Sequence, residues 1–293
     1  GLVAVRARQR GIGHIHNHAP DSSGYVTMLA SAIGDLTYSL TIHGFGILSE
    51  PSRWRLKEKM ERSLFAICVS SHARSQAMLW SNQSCWQKLH VIHCGIDVNG
   101  MPVRSHNGEG RNVLFVGRFD HVKGLPLLIE AFALLAQNDH DIHLHLVGEG
   151  PIKGELETLV RDKGLNQRVS FYGYQSQSQL RHHYAVADIV AMSSFAEGIP
   201  VVLMEAMACG VPVVAPRITG IPELVIDGVS GVLTTPGDID SLADAIYSLL
   251  KDSNLRNRFG AEGRRIVEQK FNLSLETEQL AKLMRDYLTE QPN

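Results

Sequence analysis

The chain has 293 residues, 44% of them hydrophobic and 20% charged, with a formal net charge of −2. That composition suits a globular protein of about two domains, and so small a net charge offers no cationic field for nucleic acid, which is not expected as a partner. No apolar run reaches the ~18–20 residues that span a bilayer, and Cys68, Cys85, Cys94 and Cys209 lack C-x-x-C spacing, so they read as thiols of a reducing, cytoplasmic compartment.

Residue 1 is Gly and no charged-then-apolar leader follows it. The chain therefore reads as opening inside a domain, as a fragment would. Short apolar runs at 13–18, 38–42, 64–70 and 89–93 are expected strands, and a second set falls at 113–116, 142–147, 169–172, 189–192, 213–215 and 231–233. Most are continuous rather than alternating, as in strands covered on both faces. Amphipathic stretches at 125–136, 152–163 and 180–186 lie between them, and strand–helix alternation argues for parallel sheets with crossover helices. The run from Asp97 to Arg111 is rich in Gly, Asn and charge without periodicity. Residues 99–111 are expected to link a partial N-terminal Rossmann-like domain, 1–98, to a C-terminal one, 112–272. A helix at 273–288 is expected to pack back on the first domain.

Two segments carry the chemistry. In the first, a strand runs into Gly117-Arg118, and Lys123-Gly124 opens a helix whose unpaired amides favour an anion. Arg118 can fork onto phosphate oxygens and Lys123 adds a compact cation, which suits a diphosphate. The alternative is two solvated surface charges. In the second, Glu197-Gly198-Ile199-Pro200 precedes an apolar helix holding Glu205. A carboxylate buried there needs a partner, and ligand hydroxyls are natural ones. Eight helical positions put the two glutamates on the order of 10 Å apart, past the spacing of a hydrolytic pair. Two carboxylates gripping different hydroxyls of one long ligand fit better; the alternative is a helix-start charge and a core ion pair.

In order along the chain stand G-R-x(4)-K-G (117–124), VGEGP (147–151), F-x-G (171–173), E-G-x-P-x(4)-E-A-M-A (197–208), G-x-P-V-V (210–214) and G-I-P-E-L-V-x-D-G-x-x-G (220–231). This set resembles the retaining glycosyltransferases of GT-B architecture often called glycosyl transferases group 1. The resemblance implies two Rossmann-like domains, the first incomplete, and transfer from a nucleotide-diphosphate sugar with retention of configuration. It implies that Arg118 and Lys123 hold the donor diphosphate, Glu205 the ribose and Glu197 the sugar hydroxyls. Gly117 belongs to the same loop, the amides of Gly198 and Ile199 turn towards sugar or phosphate, and Tyr174 sits near the base. The N-terminal part is also similar, with His43 near the donor sugar and VIHCGID (91–97) leading into the linker. A glycan or lipid-linked acceptor is implied, with no metal or other cofactor, and such relatives often build bacterial surface polysaccharides. The family's first strand and Gly-rich loop have no counterpart, which leaves a binding module without transfer as the alternative, beside an epimerase or phosphorylase on the same scaffold.

His14, His16 and His18 alternate along a strand. A shared metal, as in a metal-dependent hydrolase, is the less favoured expectation. The favoured one has a single ring facing a cleft or capping Ser22–Ser23 and the others solvated. His182 and His183 are expected on the surface, and Trp54, Trp80 and Trp86 in core packing. Arg53, Arg55, Lys57 and Lys59 form a basic cluster beside Trp54, from which weak peripheral attachment at the inner membrane face is expected.

Overall fold

The computed structural model describes residues 1–104, 109–139 and 141–289, save the side chain of Phe45. Residues 105–108 of the expected linker lie outside the described residues. All ten expected strands are present, their ends displaced by one or two residues: β1 (His14–Asn17), β2 (Thr37–Ile42), β3 (Ala66–Cys68), β4 (Leu89–Val91), β5 (Asn112–Val116), β6 (His143–Val147), β7 (Val169–Phe171), β8 (Ile189–Ala191), β9 (Val213–Pro216) and β10 (Gly231–Thr234). Every pairing is parallel, in one sheet of order β1-β2-β3-β4 and another of order β10-β9-β8-β5-β6-β7. The fold is α/β, with two Rossmann-like units. One comprises Gly1–Cys94 and the segment from Ser274, the other Gly95–Leu273.

In the larger unit the chain winds outward from β5 through β6 to β7, then returns to lay β8, β9 and β10 on the other side. Strand order thus reverses between β5 and β8, which pair directly through Val113–Ile189 and Leu114–Val190. Helix Leu125–Asn138 buries Leu125, Leu128, Ile129 and Phe132, a stripe of helical period, in a core shared with Ile246 and Leu249. The described part of the linker is held against this unit. Met101 is buried, Arg104 donates its backbone amide to Cys209, and its guanidinium is ion-paired with the fully buried Asp188. Asp188 also accepts from the backbone amides of Arg111 (2.9 Å) and Asn112 (3.0 Å), and so fixes the entry to β5.

In the smaller unit Tyr38, Leu40 and Ile42 alternate into one core with Leu56, Met60 and Leu89. On another cluster, helix Leu273–Thr289 lays Leu280, Leu283, Met284 and Tyr287 against Phe65, Ile67 and Ile92. The parallel register sets His14 and His16 beside Thr37, Ser39 and Thr41. His14 bonds Thr37 and Ser39 (both 2.8 Å), and His16 bonds Ser39 (2.7 Å) and Thr41 (2.8 Å). These two rings are half-buried, and hydroxyls take both nitrogens of each. Asp21, not a histidine, caps helix Ser22–Gly34 through the amide of Ser23.

Burial, reinforced by His18, His14 and His43, pushes the His16 imidazole down to about 4 from 6.5, and burial also lowers His14. The folded state resists the proton that the unfolded chain accepts, so this stability is complete above about pH 6.5 and declines as pH falls towards 4. Allowing for the solvent that reaches the ring, the loss expected at His16 is about 1–2 kcal/mol. Thermal melts at pH 7.5 and 4.5 check this: His16→Gln should narrow the difference between them, and an unchanged difference would contradict it.

The basic cluster also differs from expectation. Arg53, Arg55 and Lys57 pair with Glu50, Glu58 and Glu61. Lys59 is fully buried, donates to the carbonyls of Pro20 (2.8 Å) and Asp21 (2.6 Å), and lies 3.8 Å from the Tyr25 ring centroid. It braces the interior and is no surface cation. Trp54 packs partly buried against the core, whereas Trp80 and Trp86 are exposed. His182 is exposed and His183 half-buried. Among the described residues no helix is long and apolar enough to cross a membrane.

Candidate functional site

A reversal of strand order in a parallel sheet leaves a crevice beyond the strand ends, where ligands of doubly wound folds bind. Here the reversal falls between β5 and β8, and Lys123 and Glu197 follow the carboxyl ends of those strands. Beyond β5, Asp120 accepts from the Lys123 amide (3.2 Å) and closes a short 3-10 turn, His121–Lys123. Gly124 then takes a φ of +60°, and a Cβ there would stand 2.2 Å from the Ser193 carbonyl oxygen, so a larger residue would force the two loops apart. Ser193 Oγ donates to the carbonyls of Lys123 and Gly124, and the Phe195 amide donates to Val122. These bonds stitch the two loops together. They bring Lys123 Nζ to 2.7 Å from Glu197 Oε1, with the side chains 24% and 9% exposed.

The loops after β6 and β7 join the same end of the sheet. Gly117 donates to Val147, and Gly148 donates to Gly173. A Cβ on Gly148 would fall 1.8 Å from the Gly117 oxygen, which demands glycine at this crossing. Arg118 is exposed, with its guanidinium 3.5 Å from Asp120. Tyr174 is 81% exposed. Gly198 is half-buried and Ile199 buried in the turn that leads into helix Val201–Ala208. The helix begins four residues after Glu197, so that glutamate is not on its axis and the helical rise does not measure the separation of the two carboxylates.

Glu205 is 5% exposed within that helix. Its partners belong to the protein: Tyr184 OH donates to Oε2 (2.8 Å) and Gln177 Nε2 to Oε1 (2.5 Å). Among the described residues no core ion pair forms there. Two buried hydroxyls, Ser194 Oγ and Thr219 Oγ1, find no partner among the described residues, and Thr219 holds a left-handed φ of +46°. A β-branched residue in that conformation is strained. Neither hydroxyl stood out in the sequence, although both lie in loops that follow strands of this sheet.

The structure thus joins Lys123 to Glu197, sets Gly117 and Arg118 in the same loop after β5 as Lys123, and gives Glu205 donors from the protein itself. His43 belongs to the smaller unit. There it stacks on His18 (centroids 5.8 Å apart) and bonds Cys94 Sγ at 3.7 Å, beside a cavity of about 270 Å³ also lined by Asp21, Ile47 and Trp54. Burial, then His18, lowers its pKa. Among the described residues no group of three or more His, Cys, Asp or Glu is placed to hold a metal ion.

The family description "Glycosyl transferases group 1" matches residues 101–266, more than half of the chain. The chain belongs to that family. Among curated relatives, the alpha-D-kanosaminyltransferase of Streptomyces kanamyceticus is 32% identical over 59% of this chain and 45% of its own length. The amylovoran biosynthesis glycosyltransferase of Erwinia amylovora is 32% identical over 68% of this chain and 51% of its own. The chain therefore spans about half of each. An uncharacterized glycosyltransferase of Methanocaldococcus jannaschii is 28% identical over 87% of this chain and 70% of its own. Among solved structures, sucrose-phosphate synthase from Thermosynechococcus elongatus superposes with a TM-score of 0.89 at 25% identity, over 99% of this chain and 77% of that one. Anabaena HepE in complex with UDP-glucose gives 0.84 at 25%, over 97% and 81%. Both are GT-B glycosyltransferases, and the group 1 chain described here shares their fold.

Proposed function

We propose that the chain moves a sugar from a nucleotide-diphosphate sugar to a glycan or lipid-linked acceptor, with retention of configuration, and that the C-terminal unit holds the donor. The observation that carries this is the Lys123–Glu197 pair at the reversal between β5 and β8. A diphosphate at the end of β5 meets Lys123 and Arg118, which balance the charge that grows on the departing nucleotide. Binding of that anion draws Lys123 from Glu197, whose oxygens then accept from sugar hydroxyls. Glu205 takes ribose hydroxyls, the amides of Gly198 and Ile199 face sugar or phosphate, and Tyr174 lies towards the base. Catalysis is then positioning and electrostatics, with no protein nucleophile and no metal. The UDP-glucose held by HepE supports a donor of this class. A cytoplasmic setting belongs to this proposal, as does weak contact with a membrane surface near Arg53 and Trp54.

A thermal-shift screen across UDP-, GDP- and ADP-sugars tests it. One donor class should raise the melting temperature in a concentration-dependent way, equally with and without EDTA. A chain indifferent to all three would contradict the proposal. Product analysis with the active donor separates transfer from binding alone, epimerisation and phosphorolysis.

A further inference from the structure

The two oxygens of Glu205 are served by groups of different character. Tyr184 lies in helix Gln177–Val186 and is fully buried, with its hydroxyl 2.8 Å from Oε2. Burial, and the carboxylate beside it, push the pKa of this phenol well above its ordinary value, so it remains a donor across the working range of the protein. Gln177 opens the same helix and is solvent-exposed, yet its amide reaches 2.5 Å from Oε1. One oxygen is held from the interior by a donor that has nowhere else to go. The other is held from the solvent side by a flexible amide that water can satisfy equally well.

We propose that Tyr184 is the positioning residue of Glu205, and that Gln177 is an exchangeable stand-in which yields Oε1 to a ribose hydroxyl of the incoming nucleotide. This rests on the donor role proposed for Glu205. With Tyr184 fixed on Oε2, the carboxylate cannot turn to follow Gln177, so Oε1 stays aimed at the position the amide vacates. An arriving hydroxyl exchanges one hydrogen bond for another, and the helix start carries the displaced side chain into solvent. Gln177 thus competes with the ligand, whereas Tyr184 assists it.

Calorimetric titration with UDP, GDP and ADP, each beside its 2′,3′-dideoxy counterpart, tests the inference from the ligand side. The wild-type chain should bind one ribonucleotide roughly tenfold tighter than the dideoxy form, the scale of a hydrogen bond to a charged acceptor. Glu205→Ala should erase that preference. Tyr184→Phe, which keeps the ring and its packing, should lose most of the preference while leaving dideoxynucleotide affinity unchanged. Gln177→Ala should bind the ribonucleotide about two- to tenfold tighter, less than the full worth of a hydrogen bond to a charged acceptor because water takes over Oε1 once the amide is gone. If the wild type shows no preference, or Glu205→Ala retains it, the donor role of Glu205 falls and the inference with it. If Glu205→Ala behaves as expected but Tyr184→Phe keeps the ratio, or weakens both ligands alike, Tyr184 serves packing only and the positioning role is overturned. Weaker ribonucleotide binding by Gln177→Ala would overturn the exchange.

Discussion

Replacing Lys123 by alanine is expected to slow sugar transfer by roughly 10²- to 10³-fold, about 2.7–4 kcal/mol of transition-state stabilisation. Lys123 is not a loose surface cation. Its turn is capped by Asp120 and stitched to the loop after β8 by Ser193 and Phe195, so its ammonium is held in one place, the place at which the proposed function has charge develop on the leaving diphosphate. The ground-state donor carries part of that charge already, so its affinity should fall less than the rate. The variant also leaves Glu197 without its partner at 9% exposure, which costs stability of its own. Single-turnover rates at saturating donor, read beside melting temperatures, separate the two effects. A variant that melts like the wild type and transfers within about threefold of it would contradict the role of Lys123.

Asp188→Ala is expected to lower the stability of the C-terminal unit by about 3–5 kcal/mol, the range for breaking a buried ion pair from one side. The substitution would strand the Arg104 guanidinium, whose side chain is 5% exposed, and would orphan the amides of Arg111 and Asn112. For a unit of this size that corresponds to a fall of about 10 °C in Tm. A fall of under about 2 °C would show that water or a neighbouring group replaces the carboxylate at little cost. Asp188 is remote from catalysis in this account, yet it aims β5, and through β5 the turn that carries Lys123.

Several residues of this candidate site stood out in the sequence, and the boundary of legibility has a physical cause. Arg118, Lys123, Glu197 and Glu205 stood out because charged residues beside strand ends or inside an apolar helix need partners. Which partners they have depends on strand order. Lys123 and Glu197 are 74 positions apart and meet only because β5 and β8 are neighbours. Glu205 was expected to wait for ligand hydroxyls, but Tyr184 and Gln177 reach it from 21 and 28 positions away. The start of their helix was a missed local signal. Ser176 and Gln179 form a capping box, whereas the apolar periodicity begins only at Leu180. The alternation of His14 and His16 correctly implied a common face, but the hydroxyls they meet follow from register with β2. Lys59 read as one more cation in a basic run, because nothing local marks a lysine whose ammonium finds two carbonyls and an aromatic ring inside the fold.

The most direct measurement is a crystal structure of the chain soaked with whichever of UDP, GDP or ADP stabilises it. The diphosphate should lie past the end of β5 within hydrogen-bond reach of Lys123 Nζ, with the ribose at Glu205 Oε1 and the Lys123–Glu197 contact loosened. Nucleotide bound elsewhere, with that contact still at its present 2.7 Å, would contradict the account at its centre.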